Sequence, residues 1–193
     1  MKYPVGPAPR DSAAAPERTK PGADARLFAA LWPGPDLRAQ LGRRRDAWRW
    51  PAAARPLADD QLHLTLHFIG AFARNRIAAL HRLLITIPVK STTLRAHDDE
   101  VWRGGIAVLR FAGDASLAAL HGRLGAVLAD LGVALDPKPF SPHVTLARRA
   151  RGAERPHDPA AIEWRADGFA LVESLAAAGS GYRVLQSYLG APS

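Results

Sequence analysis

The chain has 193 residues, 48% of them hydrophobic, with 26 Lys plus Arg against 18 Asp plus Glu, a net charge of +8, and no cysteine. That length and apolar content exclude a wholly disordered chain and suit one core-forming domain, while the lack of cysteine excludes disulfides, thiolate metal sites, iron–sulfur clusters and a thiol nucleophile. The basic balance favours phosphate-bearing partners, no apolar run is long enough for a membrane helix, and the N-terminus lacks a secretory apolar segment, so a cytoplasmic protein with no membrane partner is expected.

In chain order, residues 1–25 read as a disordered tail. Pro4, Pro7, Pro9, Pro16 and Pro21 punctuate an Ala-rich, charged stretch without apolar period, which cannot bury enough surface to offset its ordering entropy. The folded domain is expected over 26–193. Leu27 to Leu31 is a short apolar strand stopped by Pro33 and Pro35. A helix follows over residues 35–48, with Pro35 in its first turn and Asp36 favourable to the dipole there. Its end carries Arg43, Arg44, Arg45, Trp48, Arg49 and Trp50. These form either a solvated helix face anchored by tryptophans or a surface for phosphates and bases.

Leu62 to Ile69 reads as a strand closed by Gly70, and residues 74–86 as a helix with Ile77, Leu80 and Leu84 on one face. Two strands are expected near 92–97 and 105–111. Over 115–131, Leu117, Leu120, Leu124, Val127, Leu128 and Leu131 form one helical stripe, with Asp114 as N-cap and Gly132 as the stop. His143 to Arg148 is a strand and 149–161 a polar loop. Strands near 168–176 and 182–189 flank Gly179-Ser180-Gly181, a hairpin signal. The mixture predicts an α+β fold, with helices packed on antiparallel sheets.

One short pattern occurs twice, His63-Leu64-Thr65-Leu66 and His143-Val144-Thr145-Leu146. Side chains alternate along a strand, so each copy presents an imidazole and a hydroxyl on one face and aliphatics on the other. Two imidazoles suit phosphodiester cleavage: near neutral pH one ring can take a proton from the attacking oxygen while the other gives one to the leaving oxygen. The hydroxyls can donate to non-bridging phosphate oxygens. This chemistry needs no cofactor and no metal, and no carboxylate lies at a ligand-type spacing from either histidine.

The pair resembles the tandem signature of the two-histidine phosphoesterases. His63-Leu64-Thr65-Leu66-His67-Phe68-Ile69-Gly70 resembles the first motif of the bacterial RNA 2′,3′-cyclic phosphodiesterases, also called 2′-5′ RNA ligases. Phe140-Ser141-Pro142-His143-Val144-Thr145-Leu146-Ala147-Arg148 resembles the second. The opening Arg26 to Leu31 and the closing Leu171 to Ser174 and Tyr182 to Leu185 fit as well, so the resemblance spans residues 26–189. It implies a bilobal fold, two antiparallel sheets with pseudo-two-fold symmetry around a central groove and helices outside. It also implies hydrolysis of a 2′,3′-cyclic phosphate on an RNA or nucleotide, tRNA-half-like ends among them, to a 2′-phosphate, with reversible 2′-5′ ligation. His143 is then the general base, His63 the general acid, and Thr65 and Thr145 hold the phosphate.

Arg148 carries over as a phosphate-binding cation, although strict alternation puts it on the buried side with Val144 and Leu146. A twist or bulge at the strand end is needed to bring it round. Phe28 and Phe140 are candidates to stack on a base. His67 shares parity with His63 and is expected at the periphery of the groove. The alternatives are the same fold acting on another cyclic phosphate or a 2′-5′ oligonucleotide, and a non-catalytic RNA-binding module using the Arg43–Arg49 cluster. A monomer is the default.

Overall fold

Apolar residues at a period of two and apolar stripes at a period of 3.6 become the strands and helices of a computed structural model that describes residues 24–158, 160–175 and 181–190. Residues 1–23 of the expected tail, and Gly179 and Ser180 of the expected turn, lie outside the described residues. Ala25 is already buried at the start of the first strand. The elements are β1 (Ala25–Leu31), α1 (Pro35–Asp46), β2 (Arg55–Pro56), β3 (Leu64–Phe72), α2 (Ile77–Leu84), β4 (Thr92–Trp102), β5 (Ile106–Ala112), α3 (Ala115–Asp130), β6 (His143–Arg148), β7 (Glu163–Ala166), β8 (Gly168–Leu175) and β9 (Gly181–Leu189).

The strands pair antiparallel in the order β7-β4-β5-β6-β3-β1-β8-β9, with β2 also on β6. Between β6 and β3 the ladder is a single pair, Leu64 with Val144. The sheet is therefore two four-stranded halves joined at a seam. One half comes from the middle of the chain and the other from its two ends, and the strand bearing a His-x-Thr copy is innermost in each. This is the bilobal α+β arrangement expected.

One face of both halves is covered by helices. Leu27, Ala29 and Leu31 of β1, Leu64 and Leu66 of β3, Leu109 and Phe111 of β5, and Val144 and Leu146 of β6 share one buried cluster with Leu117, Leu120, Leu124 and Leu128 of α3. Full burial of each such leucine contributes about 1.5–3 kcal/mol. The Asp114 side chain caps α3 by accepting from the Leu117 N–H at 3.0 Å. The opposite face of the chain-end half carries a smaller cluster of Phe28, Ala30, Ala170 and Val172, with Trp32 and Tyr182 against it.

Several boundaries differ from the expectation. β4 is expected only near 92–97 but continues through Asp98, Asp99 and Glu100, because each of these carboxylates has an arginine partner that lets it lie in a sheet. Asp99 is 4% exposed, ion-paired with Arg44 and hydrogen-bonded by the Trp48 indole N–H at 3.2 Å. Glu100 accepts from Arg110 at 2.7 Å. Gly70, at φ 79°, bends β3 without ending it. Residues Arg74–Arg76 form a 3-10 turn ahead of α2 rather than its first turn. No helix among the described residues is long and apolar enough to cross a membrane.

Candidate active site

The seam sets the site. Leu64 and Val144 face each other and both point into the core. Continuing this antiparallel register by one residue sets His63 opposite Thr145, and Thr65 opposite His143. All four then lie on the face away from the helices. They are half-buried, whereas Leu62, Leu64, Leu66, Val144 and Leu146 are buried, the alternation expected of both copies. His63 and His143 are diagonal neighbours across the seam, a relation that places side chains about 7–8 Å apart. One phosphate group fits such a gap.

Both imidazoles are held in the same way. The His63 Nδ1–H donates to the Gln61 carbonyl at 2.7 Å, and the His143 Nδ1–H donates to the Ser141 carbonyl at 2.7 Å. A carbonyl can only accept, so Nδ1 carries the hydrogen in each ring and Nε2 is left to exchange protons. Neither threonine hydroxyl has a partner among the described residues, which leaves both able to donate to an anion.

Beyond the threonines each motif strand bulges at the same place. In β3, Ala30 pairs with Thr65 but Ala29 with His67, so Leu66 is the extra residue. In β6, Val108 pairs with Thr145 but Ala107 with Ala147, so Leu146 is the extra residue. A bulge shifts the alternation by one. Arg148 therefore returns to the groove face, which resolves its parity conflict, and it is exposed there. His67 moves the other way. It is buried against α3, with Nε2 at 2.9 Å from the His121 carbonyl and its ring 4.0 Å from the His121 ring, so it lies on the opposite face rather than at the edge of the groove. Phe68 takes the groove position instead, pairs with Phe28 and is 69% exposed.

The surroundings of the two imidazoles differ. His63 sits among Phe28 at 4.8 Å, Trp32 at 5.5 Å and Tyr182 at 5.0 Å between ring centres. This desolvation pushes its pKa down to about 4, with the nearby positive charges of His143 and Arg148 adding to the fall. His143 packs against Trp102 at 4.4 Å and lies opposite Arg110. Its pKa is lowered by burial and then by the Arg110 charge. Glu100 fixes both neighbours, accepting from the Trp102 indole at 2.6 Å and from Arg110.

Of the residues expected at the site, His63, Thr65, His143, Thr145 and Arg148 come together. Phe28 reaches the site too, but at 4% exposure it walls in His63 and has little surface left for a base. Phe140 stacks on His121 at 4.0 Å and 15°, so that ring face is taken. Trp32, Trp102, Arg110, Tyr182 and Phe68 were not anticipated; their places depend on strand pairing that alternation within one strand does not reveal. The Arg43–Arg49 cluster is largely structural. Arg44 pairs with Asp99, Arg45 with Asp46 and Asp59, and Arg49 with Glu154, while Trp48 and Trp50 stack on each other. Among the described residues no group of three or more His, Cys, Asp or Glu is arranged to hold a metal ion.

Two His-x-Thr couples facing one groove across the seam of a two-part antiparallel sheet define a two-histidine phosphoesterase. No family model matches the chain. It is 34% identical over 134 residues to the RNA 2′,3′-cyclic phosphodiesterase of Escherichia coli K12, covering 66% of this chain and 74% of that protein. It is 32% identical over 176 residues to the RNA 2′,3′-cyclic phosphodiesterase of Thermus thermophilus, covering 84% and 89%. The fold matches the crystal structure of Escherichia coli LigT with a TM-score of 0.74 at 29% identity, over 89% of this chain and 100% of that one; LigT has also been solved with 3′-AMP. The chain belongs to the family of RNA 2′,3′-cyclic phosphodiesterases, and its activity is that of a cyclic phosphodiesterase.

Proposed function

We propose that the protein opens the 2′,3′-cyclic phosphate at an RNA end by acid–base catalysis between two imidazoles, without a metal. Nε2 of His143 takes a proton from water as the water oxygen bonds to phosphorus. The bond from phosphorus to the 3′ oxygen breaks, and Nε2–H of His63 gives that oxygen its proton. The products are a 2′-phosphate and a 3′-hydroxyl. A 5′-hydroxyl in place of water would give a 2′-5′ linkage by the same steps, and the reverse path would cleave it. Thr65, Thr145 and Arg148 hold the non-bridging oxygens, whose charge peaks as phosphorus becomes five-coordinate. The base of the terminal nucleotide stacks on Phe68, in place of Phe28 or Phe140, because its ring is open to the groove.

The observation that carries this reading is the seam register, which gathers both His-x-Thr couples on one face with each Nδ1 committed to a backbone carbonyl. A buried His63 is a strong acid once protonated, and the bound phosphodiester anion favours its charged form, so substrate arms the acid. A non-catalytic RNA-binding role has less support, since Arg44, Arg45 and Arg49 are committed to carboxylates.

The test is hydrolysis of a short RNA ending in a 2′,3′-cyclic phosphate, with a chelator present, beside a panel of other cyclic phosphates and 2′-5′ oligonucleotides. His63→Ala and His143→Ala should each slow turnover by about 10²–10⁴-fold. A bridging 3′ sulfur leaves without a proton and should rescue His63→Ala alone; rescue of His143→Ala instead would exchange the two roles. Full activity in either variant, or loss on chelation, sinks the mechanism.

A further inference from the structure

Some arginines among the described residues are ion-paired and others are not. Arg95, Arg110, Arg155 and Arg165, like Arg44 and Arg45 of α1, are each paired with a carboxylate. Arg55, Arg103, Arg148, Arg149 and Arg151 are all exposed, and none has a carboxylate partner among the described residues. These five are neighbours. Arg55 of β2 is the direct cross-strand partner of Arg148. Arg149 and Arg151 continue from β6. The Ala150 N–H donates to the Gly105 carbonyl at 2.8 Å, and a Cβ on Gly105 would meet Arg151 Cγ at 3.0 Å, which lays Arg151 against the β4–β5 turn that carries Arg103.

Such a cluster is unfavourable in isolation. Like charges directly opposite on paired strands destabilise a sheet. Arg149 is held at φ 54°, a left-handed conformation that residues other than glycine rarely adopt, so a position suited to Gly or Asn carries a guanidinium. A polyanion would relieve the repulsion. The cluster begins at Arg148, inside the groove, and leads away from it over exposed surface. The equivalent place in the first motif strand holds Phe68 followed by Ile69, Gly70 and Ala71, with no charge. The groove is therefore aromatic at one end and cationic at the other.

We propose that Arg55, Arg103, Arg149 and Arg151 form a track for the backbone phosphates upstream of the cyclic end, which raises kcat/KM on an oligonucleotide above that on a single cyclic nucleotide. This rests on the cyclic phosphodiesterase reading above. The track touches phosphates, which are the same in every sequence, so it gives affinity without base preference.

The experiment compares kcat/KM on a nucleoside 2′,3′-cyclic phosphate and on a ten-nucleotide RNA ending in the same nucleotide. It uses the intact protein and a variant combining Arg55→Gln, Arg103→Gln, Arg149→Asn and Arg151→Gln. The intact protein should prefer the oligomer. The variant should lose roughly tenfold or more on the oligomer and keep its rate on the mononucleotide. Its plot of log affinity against log salt should be shallower by about 0.7 for each phosphate that it no longer neutralises. Equal rates on the two substrates in the intact protein, or equal losses on both in the variant, overturn the track and leave the chemistry standing. No turnover of either substrate by the intact protein overturns the chemistry itself.

Discussion

A histidine enclosed by Phe28, Trp32 and Tyr182 has to be neutral in the empty groove, because the charged ring would lose its hydration without gaining a counter-charge. The profile of kcat/KM against pH, which reports the free protein, should therefore lie at lower pH than the profile of kcat, in which the phosphate anion favours the protonated ring. Removing one wall tests the cause. In Trp32→Ala the His63 pKa should rise from about 4 toward its ordinary value near 6.5, followed by NMR titration of the ring proton; an unchanged value would mean that burial is not what lowers it. The sign for stability follows from the same shift. The unfolded chain takes up this proton below about pH 6.5 and the folded one only near 4. The contribution is thus complete above 6.5 and drains away as pH falls toward 4. At this scale the sequence was informative for the four motif residues, since alternation is local. It was silent on the walls around them, because Trp102, Tyr182 and Arg110 come from strands, and Trp32 follows one, whose partners no single strand can name.

Elements show the same division. The long stripe of α3 was legible because its leucines recur at spacings of three and four, and β6 matched to the residue. The short β7 was missed inside a polar stretch: four residues, Glu-Trp-Arg-Ala, bury only Trp164 and Ala166 and carry too little pattern. The bulge at Leu66 was invisible and that at Leu146 was hinted at only by the parity of Arg148, since a bulge is defined by the partner strand, yet the two decide where Arg148, His67 and Phe68 point. The charged end of α1 is an element-scale case with a measurable consequence. Arg44 and Trp48 reach across to Asp99 of β4, a buried carboxylate that ties helix to sheet. Asp99→Ala leaves Arg44 mostly buried without its partner and should lower unfolding free energy by about 3–5 kcal/mol in urea denaturation. A loss under about 1 kcal/mol, the range of an exposed pair, would return this cluster to the category of solvated surface and reopen its use as an RNA-binding face.

Across the whole molecule the halves are joined by one ladder pair, which by itself would let them separate, yet the apolar cluster runs without a break from β5 and β6 through the seam to β1 and β3, with α3 laid across it. Chain connectivity adds a constraint, because the half containing β1 and β3 also needs β8 and β9 from the far end of the chain and cannot close until all of it is present. Backbone pairing at the seam is thus the minor tie and shared apolar burial the major one, and cooperativity should follow burial. Urea unfolding should give one transition, with the same midpoint whether followed by far-UV circular dichroism, by tryptophan emission in Trp32→Phe, or by tryptophan emission in Trp102→Phe, each normalised to its own variant. Leu64→Ala, which removes buried methyl groups at the junction, should cost about 2–5 kcal/mol and shift all probes together. Two separated transitions, or a Leu64→Ala effect confined to one probe, would mean that the halves are independent folding units and that the groove between them is held open or shut by something other than a common core.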